Sequence, residues 1–374
     1  MGGRKAWAVL VVLVTGCGDN LKDPTCERES GRACTWAGKA GVVGFNGDGQ
    51  HRLDTELYWT MDMAFAPDGT IWFIDWNNHL IRRVDNDIVT TVVGWIDPIF
   101  PGDGLSGTAE RTPAGVLGTD VKLNHPTDLA ITAEGKVLVM AWHNHKLREI
   151  DPVTGNVRIV AGGGAGFVGD SAAFETSLFR QPKALELDAQ GNVYILDQQN
   201  FRVRKWDKAT NMMSTVAGNG MQGSDGDGGL ATAAKLFFEA GSNPEPSGGL
   251  ALAAGKLYIA ETLANRVRAV DLATGMIETV VGPEAQLAGP RDIEIGPDGH
   301  LYIADTDNSV IRAVDLATGA IRTVAGTGEL GLDPVDGLLA TETKLARPFG
   351  IDFDRDGNLF ISDTINSRIV EVTR

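Results

Sequence analysis

The sequence writes one unit six times, and that repetition restricts the fold more than any other feature. The unit is an apolar run that ends in an acid and is followed by Asn and Arg. It occurs as IWFIDWNNHLIRRVD (71–85), VLVMAWHNHKLREID (137–151), VYILDQQNFRVRKWD (193–207), LYIAETLANRVRAVD (257–271), LYIADTDNSVIRAVD (301–315) and LFISDTINSRIVEVT (359–373). Seven residues after the acid position stands an arginine: Arg82, Arg148, Arg204, Arg268 and Arg312, with Val370 breaking the rule in the last copy. A Gly-containing turn precedes each copy, such as PDG at 67–69 and 297–299 or RDG at 355–357. Asp-Gly between apolar runs is a hairpin signal. A second turn, DLATG at 271–275 and 315–319, leads to a fourth stretch, TVVG at 91–94 and 279–282 or TVAG at 215–218 and 323–326. Four short strands per unit cannot bury both faces of their own sheet, so neighbouring units must do it and the array must close. The expected fold is all-β: a six-bladed β-propeller with four-stranded antiparallel blades.

The two chain ends support closure. The sixth copy stops at Arg374, after its third strand, and has no TVAG of its own. CTWAG, at 34–38, is the end of a unit with no unit before it. The N-terminal strand is therefore expected to complete the last blade, making 34–374 one domain. The six units resemble the NHL-repeat family, whose signature Asn78-His79-Leu80 reproduces. The resemblance covers nearly all of 34–374 and implies the propeller architecture. It leaves activity open, because such propellers include amidating lyases, sensor ectodomains and RNA- or protein-binding modules, and one fold hosts many functions.

Charge and the N-terminus narrow the setting. The formal net charge is −16, which repels phosphate backbones, so no nucleic-acid partner is expected. Arg4 and Lys5 precede an apolar run at 6–14 that is too short to span a bilayer. Val14-Thr15-Gly16-Cys17 then resembles the lipobox of a bacterial lipoprotein. The resemblance implies a signal peptide at 1–16, lipidation of Cys17 and a tether over 17–33. The protein would then sit in the bacterial cell envelope, extracytoplasmic and lipid-anchored, touching the membrane only through the lipid. An ordinary secretory signal is the alternative, and it also places the chain outside the cytoplasm. There, Cys26 and Cys34 are expected to pair as a disulfide rather than remain two free thiols.

Function is sought where the repeats differ. The loop-rich top face carries inserts at 39–58, 95–125, 163–181, 219–245 and 327–347, while the link at 283–289 is short. Loops of changing length on a fixed scaffold carry function. The recurring acid, Asn and Arg read as structural, since Asp and Asn side chains bond readily to nearby backbone amides. His79 and His145 share one repeat slot and read the same way. After the acid position only the first two blades carry tryptophan, Trp76 and Trp142. With Trp59, Trp95 and His143 they form a candidate ligand patch, since aromatic faces stack on sugars and anchor peptides. The alternative is that these rings cover the loops. A second candidate joins Asp62, Asp128 and Asp292, from matching places in the innermost strands, with His125. Such a set at the channel mouth would take Ca2+ or Zn2+ and support a metal-dependent lyase or hydrolase. Separate solvated acids are the alternative. The GDG triplets at 47–49, 102–104 and 226–228 read as tight turns. No GxSxG elbow or phosphate-cradling loop occurs. The leading reading is a monomeric, non-enzymatic binding propeller that presents its top face to an envelope protein, peptide or glycan. The metal-dependent enzyme is the alternative.

Overall fold

The computed structural model describes residues 26, 28–95, 111–242 and 244–374. These form six antiparallel sheets around a central channel. Blades 1 to 5 run over 60–93, 126–161, 182–217, 249–281 and 290–325, each from the innermost strand outward. Blade 6 takes Ile351–Phe353, Leu359–Asp363 and Arg368–Val372, then Ala33–Ala37 from the other end of the chain. Ala33 lies opposite Val372, Cys34 opposite Glu371 and Thr35 opposite Val370. The ring thus closes by the pairing of the first and last strands, and a Cys26–Cys34 disulfide, with Cα atoms 5.9 Å apart, ties the entering chain to that seam. The expected signal peptide and Cys17 lie outside the described residues.

Two blades have more strands than the repeat predicts. Gln50–His51 pairs with the outer strand of blade 1, and Val116–Leu117 with that of blade 2, so both sheets are five-stranded. The repeat gives no hint of these strands because they belong to the inserts. Apolar residues fill the spaces between sheets, as where Trp72, Ile74 and Ile81 of blade 1 meet Leu129, Val137 and Val139 of blade 2. Alternation along each strand sends successive side chains to opposite faces, so each blade feeds two such layers.

The repeated polar residues hold the top loops. Asp75 Oδ1 accepts from Tyr58 N, Asp197 Oδ1 from Arg180 N, Asp305 Oδ1 from Ala288 N and Asp363 Oδ1 from Ala346 N. Glu261 Oε1 does the same for Phe237 N. Blade 2 has Ala141 in the acid slot, and there Asn144 Oδ1 takes the equivalent amide, Asn124 N. In blades 1, 3, 5 and 6 the Asn closes the turn on the acid, at 2.9 Å for Asn78 to Asp75 and 2.8 Å for Asn366 to Asp363. Arginine completes the set: buried Arg82 with Asp75, buried Arg268 with Glu261, and partly exposed Arg312 with Asp305. The exception at Val370 is repaired from two residues earlier, where Arg368 Nε sits 2.7 Å from Asp363 Oδ2.

The Gly-Asp-Gly triplets do more than turn. Asp48 lies 3.0 Å from Arg82 Nη2 and accepts from Thr91 Oγ1 at 2.7 Å. Asp170 does this for Arg204 and Thr215, and Asp227 for Arg268 and Thr279. In blade 6 the acid is Asp336, beside Arg368 and bonded by Thr35 N. In blades 1, 3, 4 and 6 the insert folds back along the outer strand of its blade and seats one carboxylate on the buried arginine. The triplet at 102–104 lies outside the described residues.

A second device joins the blades at the top. His79 Nδ1 accepts from His125 N and His145 Nδ1 from Gln181 N, both at 3.0 Å. Asn265 Oδ1 accepts from Gly289 N at the same place between blades 4 and 5. His125 (φ 49°), Gln181 (φ 48°) and Gly289 (φ 58°) are left-handed, which turns the amide back toward the preceding blade. His79 and His145 therefore act as inter-blade acceptors.

Candidate ligand site on the top face

Over blades 1 and 2 the aromatic rings form one continuous ridge. Trp59 stacks on Trp76, with centroids 6.0 Å apart and planes 11° apart. Trp76 meets His125 at 4.6 Å, and His125 meets His79 at 4.3 Å and His143 at 4.9 Å. His143 stacks on Trp142 at 4.1 Å. A polar strip runs along it, because His125 Nδ1 lies 2.8 Å from Asn124 Oδ1 and 2.9 Å from His143 Nδ1. Trp59, Trp76, His125 and His143 are partly exposed. Trp76 Nε1 is buried and has no hydrogen-bond partner among the described residues.

Two members of the expected patch are placed differently. Trp142 is only 1% exposed and donates from Nε1 to Gln198 Oε1. It is the buried floor beneath His143 and has no face open to a ligand. Trp95, 40% exposed, lies under the Lys122 ammonium at 3.9 Å and has no ring contact with the ridge. His125, expected beside the channel aspartates, is instead the centre of the ridge. Burial, then the neighbouring His79 and His143, hold its imidazole down to about 3, so it is neutral at neutral pH. Burial likewise brings His145 down to about 4.

The channel itself is acidic in two layers. Asp62, Asp128 and Asp292 do converge, and each caps the innermost strand of the next blade: Asp62 Oδ2 accepts from Leu129 N, Asp128 Oδ2 from Leu185 N and Asp292 Oδ2 from Ile351 N. Two residues beyond the aspartate position, on the innermost strands of blades 3, 5 and 6, stand Glu186, Glu294 and Asp352, which the motif reading missed; only Glu294 shares its strand with one of the three aspartates. Strict alternation places positions i and i+2 on one face, so this second layer was available from the spacing. All six carboxylates line one cavity of about 200 Å³. Burial raises every one of them; Asp352 rises to about 7, and Glu186, with Asp352 and Asp292 adding to burial, to about 8. Toward the top, Lys183 reaches across from blade 3, its Nζ donating to Arg291 O of blade 5, and Phe349 is buried beside Arg291. His125 does not line this cavity. Among the described residues no group of three His, Cys, Asp or Glu side chains is arranged to hold a metal ion.

Comparison with known proteins places the chain. No family model matches it. Over 344 residues it is 30% identical to the chloroplast protein Suppressor of Quenching 1 of Arabidopsis thaliana, covering 89% of this chain and 26% of the plant protein. Over 102 residues it is 30% identical to human NHL repeat-containing protein 2, covering 27% of this chain and 14% of that one. The chain is an NHL-repeat propeller. It spans about a quarter or less of the length of these curated relatives. An auxiliary nutrient binding protein from Bacteroides ovatus shares the NHL propeller's fold, with a TM-score of 0.62, 16% identity and coverage of 91% of this chain and 76% of that one.

Proposed function

We propose that this NHL propeller is an extracytoplasmic binding protein, tethered through a lipid on Cys17, that takes a peptide, protein or glycan ligand on its top face. The ridge carries the reading. Trp59 and Trp76 offer a stacked indole pair, and His125, Asn124 and His143 offer hydrogen-bonding groups beside it. A flat apolar surface edged by polar groups is what a sugar ring or a peptide side chain needs from a site. The nutrient-binding role of the Bacteroides protein supports the same direction. The rival, a metal-dependent lyase or hydrolase at the channel mouth, would keep the converging aspartates but lose His125, which stands in the ridge.

The test is a fluorescence titration of the purified protein against an array of envelope glycans and peptides. A ligand should change tryptophan emission, and a Trp59→Ala/Trp76→Ala variant should lose its binding about thirtyfold, the loss a well-packed aromatic anchor produces (about 2 kcal/mol). A ligand that the double variant binds as tightly as the parent would remove the ridge from its site.

A further inference from the structure

Blade 5 lacks what the other five possess. In each of those, an insert runs along the outer strand and exchanges backbone hydrogen bonds with it. Gly49 N donates to Val89 O in blade 1, and Asn156 and Val157 pair with Leu117 and Val116 in blade 2. In blade 3 Ser171 N donates to Met213 O and Met213 N to Ala172 O. In blade 4 Gly228 N donates to Ile277 O and Ile277 N to Gly229 O. In blade 6 Gly337 N donates to Ala33 O and Ala33 N to Leu338 O. The register makes Ile321 the counterpart of these residues, since it faces Val314 as Ile277 faces Val270. No described segment pairs with Ile321 on that side, because the link into blade 5, at 283–289, is too short to reach it. The strand Ile321–Ala325 is a free edge.

The carboxylate slot is vacant at the same place. Arg82, Arg204 and Arg268 each hold an insert aspartate that also bonds the facing threonine. Arg312 faces Thr323 in the same register. It bonds Asp305 and Thr323, and among the described residues no insert acid reaches it. Its side chain is 25% exposed, against 0–1% for the other three. A cavity of about 430 Å³ opens there, lined by Asn308, Arg312, Thr323, Thr327 and Thr341 among others.

We propose that the outer edge of blade 5 binds an extended, acid-bearing segment of another protein, which adds a strand along Ile321–Ala325 and seats a carboxylate on Arg312 and Thr323. The segment would do in trans what the inserts of blades 1, 3, 4 and 6 do in cis. An unpaired edge is a template for strand addition, with main-chain hydrogen bonds giving affinity and a side-chain pocket giving specificity. The pocket here is cationic and shaped by its siblings for the side chain of Asp. This surface is separate from the ridge over blades 1 and 2.

The probe is a labelled peptide with the sequence of residues 44–53, GFNGDGQHRL, the chain's own blade 1 insert, read by fluorescence anisotropy. The whole protein should bind it, and the same peptide with Asp48→Asn should bind about tenfold more weakly, the worth of a charged hydrogen bond. Arg312→Gln should weaken binding by at least as much. Thr323→Val, which keeps the Arg312–Asp305 pair and so the blade, should weaken it severalfold. Equal affinity for both peptides, or a parent-like affinity in both variants, overturns the proposal. Displacement of the peptide by acetate at equal concentration also overturns it, because the slot would then be a bare anion site with no strand bound.

Discussion

The Asp62 side chain caps Leu129, and its backbone lies hard against blade 6. A Cβ built on Gly350 would come 2.4 Å from Met61 O and 2.8 Å from Asp62 Cα. Between blades 4 and 5, Gly249 repeats the arrangement, with its added Cβ at 2.8 Å from Asp292 Cα. In both places a channel aspartate stands beside a glycine of the neighbouring strand, so the acid and the glycine are one device. Gly350 has no positive φ, and its substitution tests close approach alone. Gly350→Ala should therefore cost about 1–3 kcal/mol, the usual penalty for overpacking, and should appear as a lower urea midpoint with an unchanged slope. A midpoint equal to the parent's would show that the blade 1–blade 6 contact yields without cost.

At the scale of elements, the sixfold strand pattern was legible because each unit repeats both its turn residues and its apolar alternation. The closing strand was legible too, since CTWAG had no unit of its own. What could not be read were contacts that carry no period. Gln50–His51 is a strand only because an insert happens to lie along Ile88–Val93. Trp142 occupies the slot of Trp76 yet is buried, because its indole is aimed at Gln198 of the next blade. Asp48 and Asp170 each stand 34 residues before their arginines, but Asp227 stands 41 before Arg268 and Asp336 keeps neither spacing from Arg368, so only the folded inserts reveal that all four share a job. The closing element also carries a prediction. The Cys26–Cys34 bridge makes a short loop, worth about 2–3 kcal/mol by its effect on the unfolded chain. Reduction should lower the unfolding free energy by that amount, and Cys26→Ala/Cys34→Ala should make stability indifferent to reductant. A reductant-sensitive double variant would place the effect elsewhere, since no other cysteine lies in 18–374.

At the scale of the whole molecule, five blades send carboxylates into one cavity, and the ring's stability must answer to pH through them. Burial favours the neutral acid, so the folded protein keeps protons that the unfolded chain would release. Glu186 holds its proton up to about pH 8 and Asp352 up to about pH 7. For an acid raised in this way the stabilisation is complete below the unfolded value and is lost as pH rises through the folded one. Stability should therefore fall between about pH 5 and pH 8, at a rate on the order of 1 kcal/mol per pH unit for each such proton. The ridge imposes the opposite limit. His125 is depressed to about 3, so its contribution is present above the ordinary imidazole value and is lost as pH falls toward 3. The two trends together place the optimum on the mildly acidic side of neutrality. Glu186→Gln separates them, because it removes one retained proton from the channel and leaves the ridge untouched. Denaturant unfolding at pH 5 should find parent and variant alike, while at pH 8 the variant should be the more stable. Parallel stability curves across that range would mean that Glu186 is ionised in the folded ring and that Lys183 balances more of the channel's charge than its single ammonium reaches.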